Sequence, residues 1–399
     1  MKTLEQTVHD FVRQDFRHQF GKPDIAVKDD IEWQKLKAAG TRLWLDTGDI
    51  DEATKLWNSS FDALTTNNTL LNKEIQKGIY DKLIVEAAKL LGDLDPKKLV
   101  LEIAFILNAH HALRLVSRFD ANVSVELHTD LSNDVERTVY YGKRYYAICP
   151  ERFIVKVPLT PAGYLGARKL VQAGIPINFT LGFSARHNYV AALVPQPKFC
   201  NVFMGRLNSY VADNKLGSGE NVGEKATLAT QRELLTLRGR SETKLIGASI
   251  RSGAQIGDLA GVDVMTMPTK AAAEYRAKPL ATVKSCVQND PPVDFGGGDT
   301  LWKVTPEFRA AVDALLKNAD ALTPADLQSR LPSDFLPRWT ETDIKTATKD
   351  GKIPVYATWK SRLDSGQIGL DALMNLSALQ SFVSDQTALD DRIRGLISK

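Results

Sequence analysis

The sequence predicts an α/β fold: a closed (β/α)8 barrel followed by an extended, mostly helical C-terminal region. Three observations lead there. Short apolar runs alternate with longer helical patterns through residues 43–267, the arrangement that builds a parallel sheet. There are eight such runs, and eight parallel strands close a barrel. Polar residues inside these runs gather near their C-terminal ends and share one side of the strand, as they do around a barrel mouth.

The strand runs, in order, are LWLDT (43–47), DALTT (62–66), VSVEL (123–127), FIVKV (153–157), PINFTL (176–181), FCNVFM (199–204), KLIGAS (244–249) and VDVMTM (262–267). Two long helices, around 70–91 and 98–118, are expected between the second and third strands. Further helical patterns cover 133–148, 161–173 and 220–240. Past the last strand, PPVDFGGGD marks a loop near 289–300, because Pro-Pro and consecutive glycines break regular structure. Helical patterns follow at 305–318 and 325–330, with a final helix at 370–398. The expected division is a barrel with N-terminal helices over 1–288 and a helical extension packed on it over 289–399. Trp302, Trp339 and Trp359 in the extension are expected to be core anchors.

Composition narrows the function classes. Of 399 residues, 43% are apolar and 25% charged, ample for a large core. The 51 basic and 48 acidic residues are interspersed and sum to a net charge of +3, so nucleic acid is not an expected partner. The stretch MKTLEQTVHDFVRQDF reads as a charged amphipathic helix without the apolar core of a signal peptide. No apolar run is expected to span a membrane. Cys149, Cys200 and Cys286 are scattered, which suggests reduced thiols in a cytoplasmic protein and neither a disulfide frame nor a metal site. His110 and His111 lie inside a helical pattern and are read as packing. His187, soon after the fifth strand, is expected at the surface, with substrate contact as the alternative.

Strand parity carries the functional reading. Leu43 and Leu45 oppose Trp44 and Asp46. Val123, Val125 and Leu127 oppose Ser124 and Glu126. Phe153, Val155 and Val157 oppose Ile154, Lys156 and Pro158. Ile177, Phe179 and Leu181 oppose Asn178 and Thr180. The first set in each case is apolar and faces helices. The second set faces inward. Asn67 after the second strand, Asn201 on the sixth and Ser249 at the end of the seventh extend the polar series. An amine held in an apolar cavity is shifted toward its neutral form, a nucleophile toward carbonyls. Two nearby carboxylates supply proton transfers. Lys156 is therefore a candidate to form a Schiff base with a carbonyl substrate; the alternative is a snorkelling or salt-bridged lysine.

Several of these segments resemble the transaldolase family, Schiff-base-forming enzymes on a (β/α)8 barrel. They are LWLDTGDIDE (43–52), LTTNNTLL (64–71), VSVEL (123–127), FIVKVPLTPAG (153–163), GIPINFTLGFS (174–184), FMGRL (203–207) and LIGASIR (245–251), in family order, with FVSDQTALDDRIRGLI (382–397) like the family's closing helix. The resemblance implies an enzyme of the pentose phosphate pathway that transfers a dihydroxyacetone unit between sugar phosphates. It implies Lys156 as the Schiff-base lysine and Asp46 as the base that takes the proton of the donor's C4 hydroxyl. Glu126 and Thr180 would hold a proton-shuttling water, and Asn67 and Asn178 would bind the three-carbon fragment. Arg206, Ser249 and Arg251 match the phosphate site. The implied chemistry needs no metal or organic cofactor. The implied partners are sugar phosphates, with no membrane or nucleic acid, and a homodimer is left open.

The sequence departs from the family pattern at three places. Asn68 stands where many members have Pro, and Asn201 and Val202 replace a typical Ser-Pro; Asn201 is expected near the sugar hydroxyls or phosphate. In the family's aldolase branch a Tyr on the sixth strand and a Gln on the third accompany release of free dihydroxyacetone. Here Phe203 and Glu126 stand at those positions and fit the transferase pattern. The competing readings are an aldolase of the fructose-6-phosphate type and a non-catalytic sugar-phosphate binding protein.

Overall fold

The computed structural model describes residues 2–398. Two helices, α1 (Leu4–Arg13) and α2 (Ile31–Ala38), precede the barrel. The barrel runs β1 (Arg42–Asp46), α3 (Ile50–Leu56), β2 (Phe61–Thr65), α4 (Asn68–Gln76), α5 (Asp81–Leu90), α6 (Pro96–Phe119), β3 (Asn122–Glu126), α7 (Val135–Ile148), β4 (Phe153–Pro158), α8 (Pro161–Gln172), β5 (Ile177–Thr180) and α9 (Ala185–Leu193). It continues with β6 (Phe199–Phe203), α10 (Met204–Asp213), α11 (Val222–Thr236), β7 (Lys244–Ala248), α12 (Gly253–Asp258), β8 (Val264–Pro268) and α13 (Thr269–Ala277). The extension holds α14 (Asp299–Trp302), α15 (Pro306–Leu316), α16 (Pro324–Arg330), α17 (Glu341–Asp350), α18 (Tyr356–Asp364) and α19 (Leu370–Ile397).

The eight strands are parallel and close in sequence order, with β1 paired to β8. The alternation of side chains is as the sequence predicts. Leu43, Leu45, Val123, Val125, Val155, Val157, Ile177 and Phe179 are all fully buried under the helices. Inside the barrel, Trp44 meets Phe199 edge-on with ring centroids 4.7 Å apart. Large side chains of this kind fill the lower barrel, and the charged groups gather at the mouth. Register sets those groups side by side: Asp46 lies opposite Thr65, Glu126 opposite Lys156, and Lys156 opposite Asn178.

Two expectations need correction. The pattern over 70–91 is two helices, not one. Gly78 takes a left-handed φ of 79° just past α4, a conformation that ends a helix at little cost only for glycine. The second concerns α6. By length and hydropathy it is apolar enough to cross a membrane, although no such run was expected. In this fold 83% of its most apolar stretch is buried, against β3, α5 and α19. A helix apolar all round is a core helix when neighbours cover every face.

The extension wraps the barrel and shares its core. Leu301, Phe308, Leu315, Phe335, Met374 and Ile393 belong to the same buried cluster as the strands. A satellite cluster of Ala347, Trp359, Ile368, Leu373 and Leu376 joins α17, α18 and α19, with Trp339 packed against it. The long helix α19 crosses α4, α5 and α6. At its start, Asp371 accepts two hydrogen bonds of 2.7 Å from the Arg186 guanidinium and one of 2.7 Å from Ser184. One turn on, the Asn375 amide donates to the carbonyls of Leu159 and Leu181 at 3.0 and 2.9 Å. These are the chain segments leaving β4 and β5, so α19 is pinned across the barrel mouth.

Candidate active site

Lys156 projects from β4 into the mouth and is only 4% exposed. Its ammonium donates to the Thr66 carbonyl at 3.1 Å and to Glu126 Oε2 at 3.5 Å. The Phe382 ring of α19 lies over it, centroid 5.9 Å away. The turn after β4 fixes the strand end. Thr160 caps α8 by accepting the Gly163 N–H at 2.8 Å, with Pro161 at the first helical position.

Asp46 ends β1. Its Oδ1 accepts from the Thr65 hydroxyl at 2.6 Å, which leaves Thr65 to accept from Thr266 at 2.7 Å. This chain orients the carboxylate. Burial pushes the Asp46 carboxyl above the usual range, and the Lys156 ammonium, the Thr65 hydroxyl and Arg251 offset that only in part. Glu126 behaves the same way. Burial raises it, against the lowering effects of Lys156 and of the Asn68 backbone N–H at the start of α4. A Pro at position 68 has no such N–H.

Asn67 and Asn178 are each held by one end of the amide, and Asn201 by both. Asn67 Oδ1 caps α4 at the Leu70 N–H, 2.8 Å, so its amide N–H groups remain available. Asn178 donates to Ser124 at 3.0 Å, and its carbonyl oxygen is buried without a partner. Asn201 donates to Thr180 at 3.1 Å and accepts from the Gly182 N–H at 3.2 Å. Arg206, from the first turn of α10, is 7% exposed, and its Nη1 has no partner. It lies 5.8 and 5.6 Å from the Phe203 and Phe382 ring centroids. Burial, then repulsion from Arg251, lowers it to about 10, still cationic at neutral pH. Ser249 takes a left-handed φ of 62° as the chain leaves β7. A Cβ at Gly205 would meet the Ser249 carbonyl at 2.1 Å, so only glycine lets α10 start this close to Ser249.

These groups surround a cavity of about 220 Å³. Asp46, Asn67, Lys156, Asn178, Asn201, Phe203, Arg206, Ser249 and Arg251 line it. Glu126 and Thr180 stand just behind, in contact through Lys156 and Asn201 respectively. Sequence reasoning missed Thr65, Thr266, Lys73, Lys352 and Phe382, which also line it. Thr65 and Thr266 share the inward parity of their strands and could have been found by it. Lys352 and Phe382 come from the extension, where no strand parity applies.

His187 is not at the surface, as expected, nor in the cavity. It is fully buried. Its Nδ1 accepts the Phe183 N–H at 3.3 Å, and its ring packs 5.3 Å from Phe335. Burial lowers it to about 4, so it is neutral. The helix α9 faces the extension here, and a side chain with no visible packing partner in the sequence acquires one from residue 335.

The fold and the cavity define a (β/α)8 barrel with a buried lysine and flanking carboxylates at its C-terminal mouth. A family model described as Transaldolase/Fructose-6-phosphate aldolase matches residues 43–318. A transaldolase of Xanthomonas euvesicatoria pv. vesicatoria (strain 85-10) is 30% identical over 299 residues, 69% of this chain and 91% of its own length. A transaldolase of Xanthomonas campestris pv. campestris (strain B100) is 31% identical over 234 residues, 56% of this chain and 71% of its own. One from Acidobacterium capsulatum is 28% identical over 253 residues, 60% and 74% of the two chains. The chain belongs to the transaldolase/fructose-6-phosphate aldolase family.

Proposed function

We propose that the protein is a transaldolase. It moves a dihydroxyacetone unit from a ketose phosphate, sedoheptulose 7-phosphate or fructose 6-phosphate, to glyceraldehyde 3-phosphate or erythrose 4-phosphate. The observation that carries this is the Lys156 amine, buried 3.5 Å from Glu126 in a cavity that Asp46 and two arginines also line. Lys156 adds to the ketose carbonyl, and loss of water from the carbinolamine gives an iminium. Glu126, raised by burial, and Thr180 hold the water that carries those protons. Asp46 takes the C4 hydroxyl proton, the C3–C4 bond breaks, and its electrons pass into the iminium to give an enamine. The aldose phosphate leaves. The acceptor aldehyde then adds to the enamine carbon, and water releases the new ketose. Asn67 and Asn178 hydrogen-bond the three-carbon fragment. Arg206, Arg251 and Ser249 bind the phosphate, since guanidinium forks suit a phosphate dianion. The same proposal places the enzyme in the pentose phosphate pathway and in the cytoplasm.

Phe203 favours transfer over simple aldol cleavage. Release of free dihydroxyacetone needs a proton delivered to the enamine, and a phenyl ring has none to give. The test is borohydride reduction with fructose 6-phosphate, followed by peptide mapping. A three-carbon adduct on Lys156, absent in Lys156→Ala along with turnover, is expected. An adduct on another lysine, or full activity in the variant, overturns the assignment.

A further inference from the structure

The cavity holds more positive charge than its known neighbours neutralise. Lys73, Arg206, Arg251 and Lys352 all line it. Among the described residues, none of the four has a carboxylate oxygen within the 4.0 Å of an ion pair. Buried cations elsewhere in this chain are paired: Arg144 with Glu102 at 2.6 Å, Arg186 with Asp371 at 2.7 Å. Arg206 is as buried as these and keeps an unpartnered Nη1. Arg206 is the buried member of the four, and an unpaired buried charge is costly, so its Nη1 is placed for an anion supplied from outside; Lys73, Arg251 and Lys352 are exposed around it.

Lys352 is the member of this group that the extension delivers. It sits in the turn between α17 and α18, and that turn is built. Gly351 takes a φ of 83° and sends its carbonyl to the Ser377 hydroxyl, 2.7 Å away. Asp350 accepts the Val355 N–H at 3.0 Å and the Trp359 indole N–H at 2.8 Å. Asn214 donates to the Pro354 carbonyl at 2.9 Å and accepts the Tyr356 N–H at 2.7 Å. Ser377 belongs to α19, which carries Phe382. Asn214 closes α10, which carries Arg206. The backbone of the turn is thus fixed to both helices that wall the phosphate side of the cavity. The Lys352 side chain is exposed on that fixed base.

We propose that Lys352 is a phosphate-binding, specificity-determining residue, the contribution of the C-terminal region to substrate recognition. The proposal rests on reading the cavity as a sugar-phosphate site. A lysine supplies a mobile point charge where the two guanidinium groups supply fixed forks. It would meet the phosphate as the substrate enters and hold it at the rim, with Arg206 below.

Three proteins test it: wild type, Lys352→Met and Lys352→Arg. Transfer from fructose 6-phosphate to erythrose 4-phosphate is measured, together with the concentration dependence of borohydride trapping. Lys352→Met should raise KM for the phosphorylated ketose roughly tenfold, the scale of one lost charge-assisted contact. The loss with unphosphorylated fructose should be much smaller. The salt dependence of KM should flatten, and Lys352→Arg should restore most of the affinity. Unchanged KM, or equal losses with both ketoses, overturns the proposal. If wild type traps no adduct, the Schiff-base reading fails instead. Calorimetric titration with inorganic phosphate then decides on Lys352 alone: weaker binding by Lys352→Met supports it, and equal binding sinks it.

Discussion

At the scale of single residues, Asp46, half-buried, and Glu126, buried, are carboxylates beside an amine. Both are raised by burial, which matters for rate and for stability in opposite ways. Asp46 must be ionised to take a proton, so kcat/KM should fall as pH drops through a value above the ~4 of an ordinary aspartate. Asp46→Asn should lose that limb, still trap the ketose on Lys156, and cleave it slowly. A variant that fails to trap contradicts the role. A raised carboxyl stabilises the fold below its unfolded pKa and loses that contribution as pH rises through the folded one. Asp46→Asn should therefore be at least as stable as wild type at pH 7, checked by urea unfolding. Asn68 offers a finer probe. It starts α4, and Asn67 before it is extended, with φ −156° and ψ 171°, so Pro fits there. Asn68→Pro removes the N–H that favours ionised Glu126. The pH limb belonging to Glu126 should move up while the fold is kept; a superimposable pH profile would argue that this N–H does not act on Glu126.

At the scale of elements, the tie between α9 and α19 anchors the start of the helix that covers the mouth. Burial alone raises Asp371, but Arg186, His187 and the Ser184 hydroxyl together hold it below the usual carboxylate range. A lowered carboxyl contributes stability above its unfolded pKa of ~3.9, lost as pH falls through the folded value. Asp371→Asn strands a buried guanidinium with only Asp334, 2.8 Å away, as partner. Removing one member of a buried pair costs about 3–5 kcal/mol. Urea midpoints should show that deficit at pH 7 and a shrinking one toward pH 3. A deficit independent of pH would mean that the pair is not its source. Activity should fall as well, because α19 carries Phe382 over Lys156.

At the scale of the whole molecule, the question is whether the three-carbon unit is transferred or released. Phe203 lines the cavity with Lys156, and its ring carries no proton for the enamine. Fructose 6-phosphate alone should yield little free dihydroxyacetone, and adding erythrose 4-phosphate should start rapid formation of glyceraldehyde 3-phosphate. Phe203→Tyr should shift the balance toward release. Equally fast wild-type turnover without acceptor would make the protein an aldolase.

Much of this was legible in sequence because a strand has a period of two and a barrel has one inside. That rule brought Asp46, Glu126, Lys156, Asn178 and Thr180 to one end of one sheet before any coordinates. It applied equally to Thr65 and Thr266, which went unremarked because a threonine in a strand is ordinary. What the chain could not announce was which distant segments would cover the mouth. Lys352 and Phe382 lie far beyond the last strand, and no local period relates them to it. His187 looked free because Phe335 and Asp371, which bury it, lie well over a hundred residues away. Strand parity, capping and the strand count are local or periodic, so the sequence by itself determined the barrel and the identity of its inward-facing polar groups. Closure of the cavity depends on long-range packing of a helical extension against that barrel, and only the tertiary structure decided it.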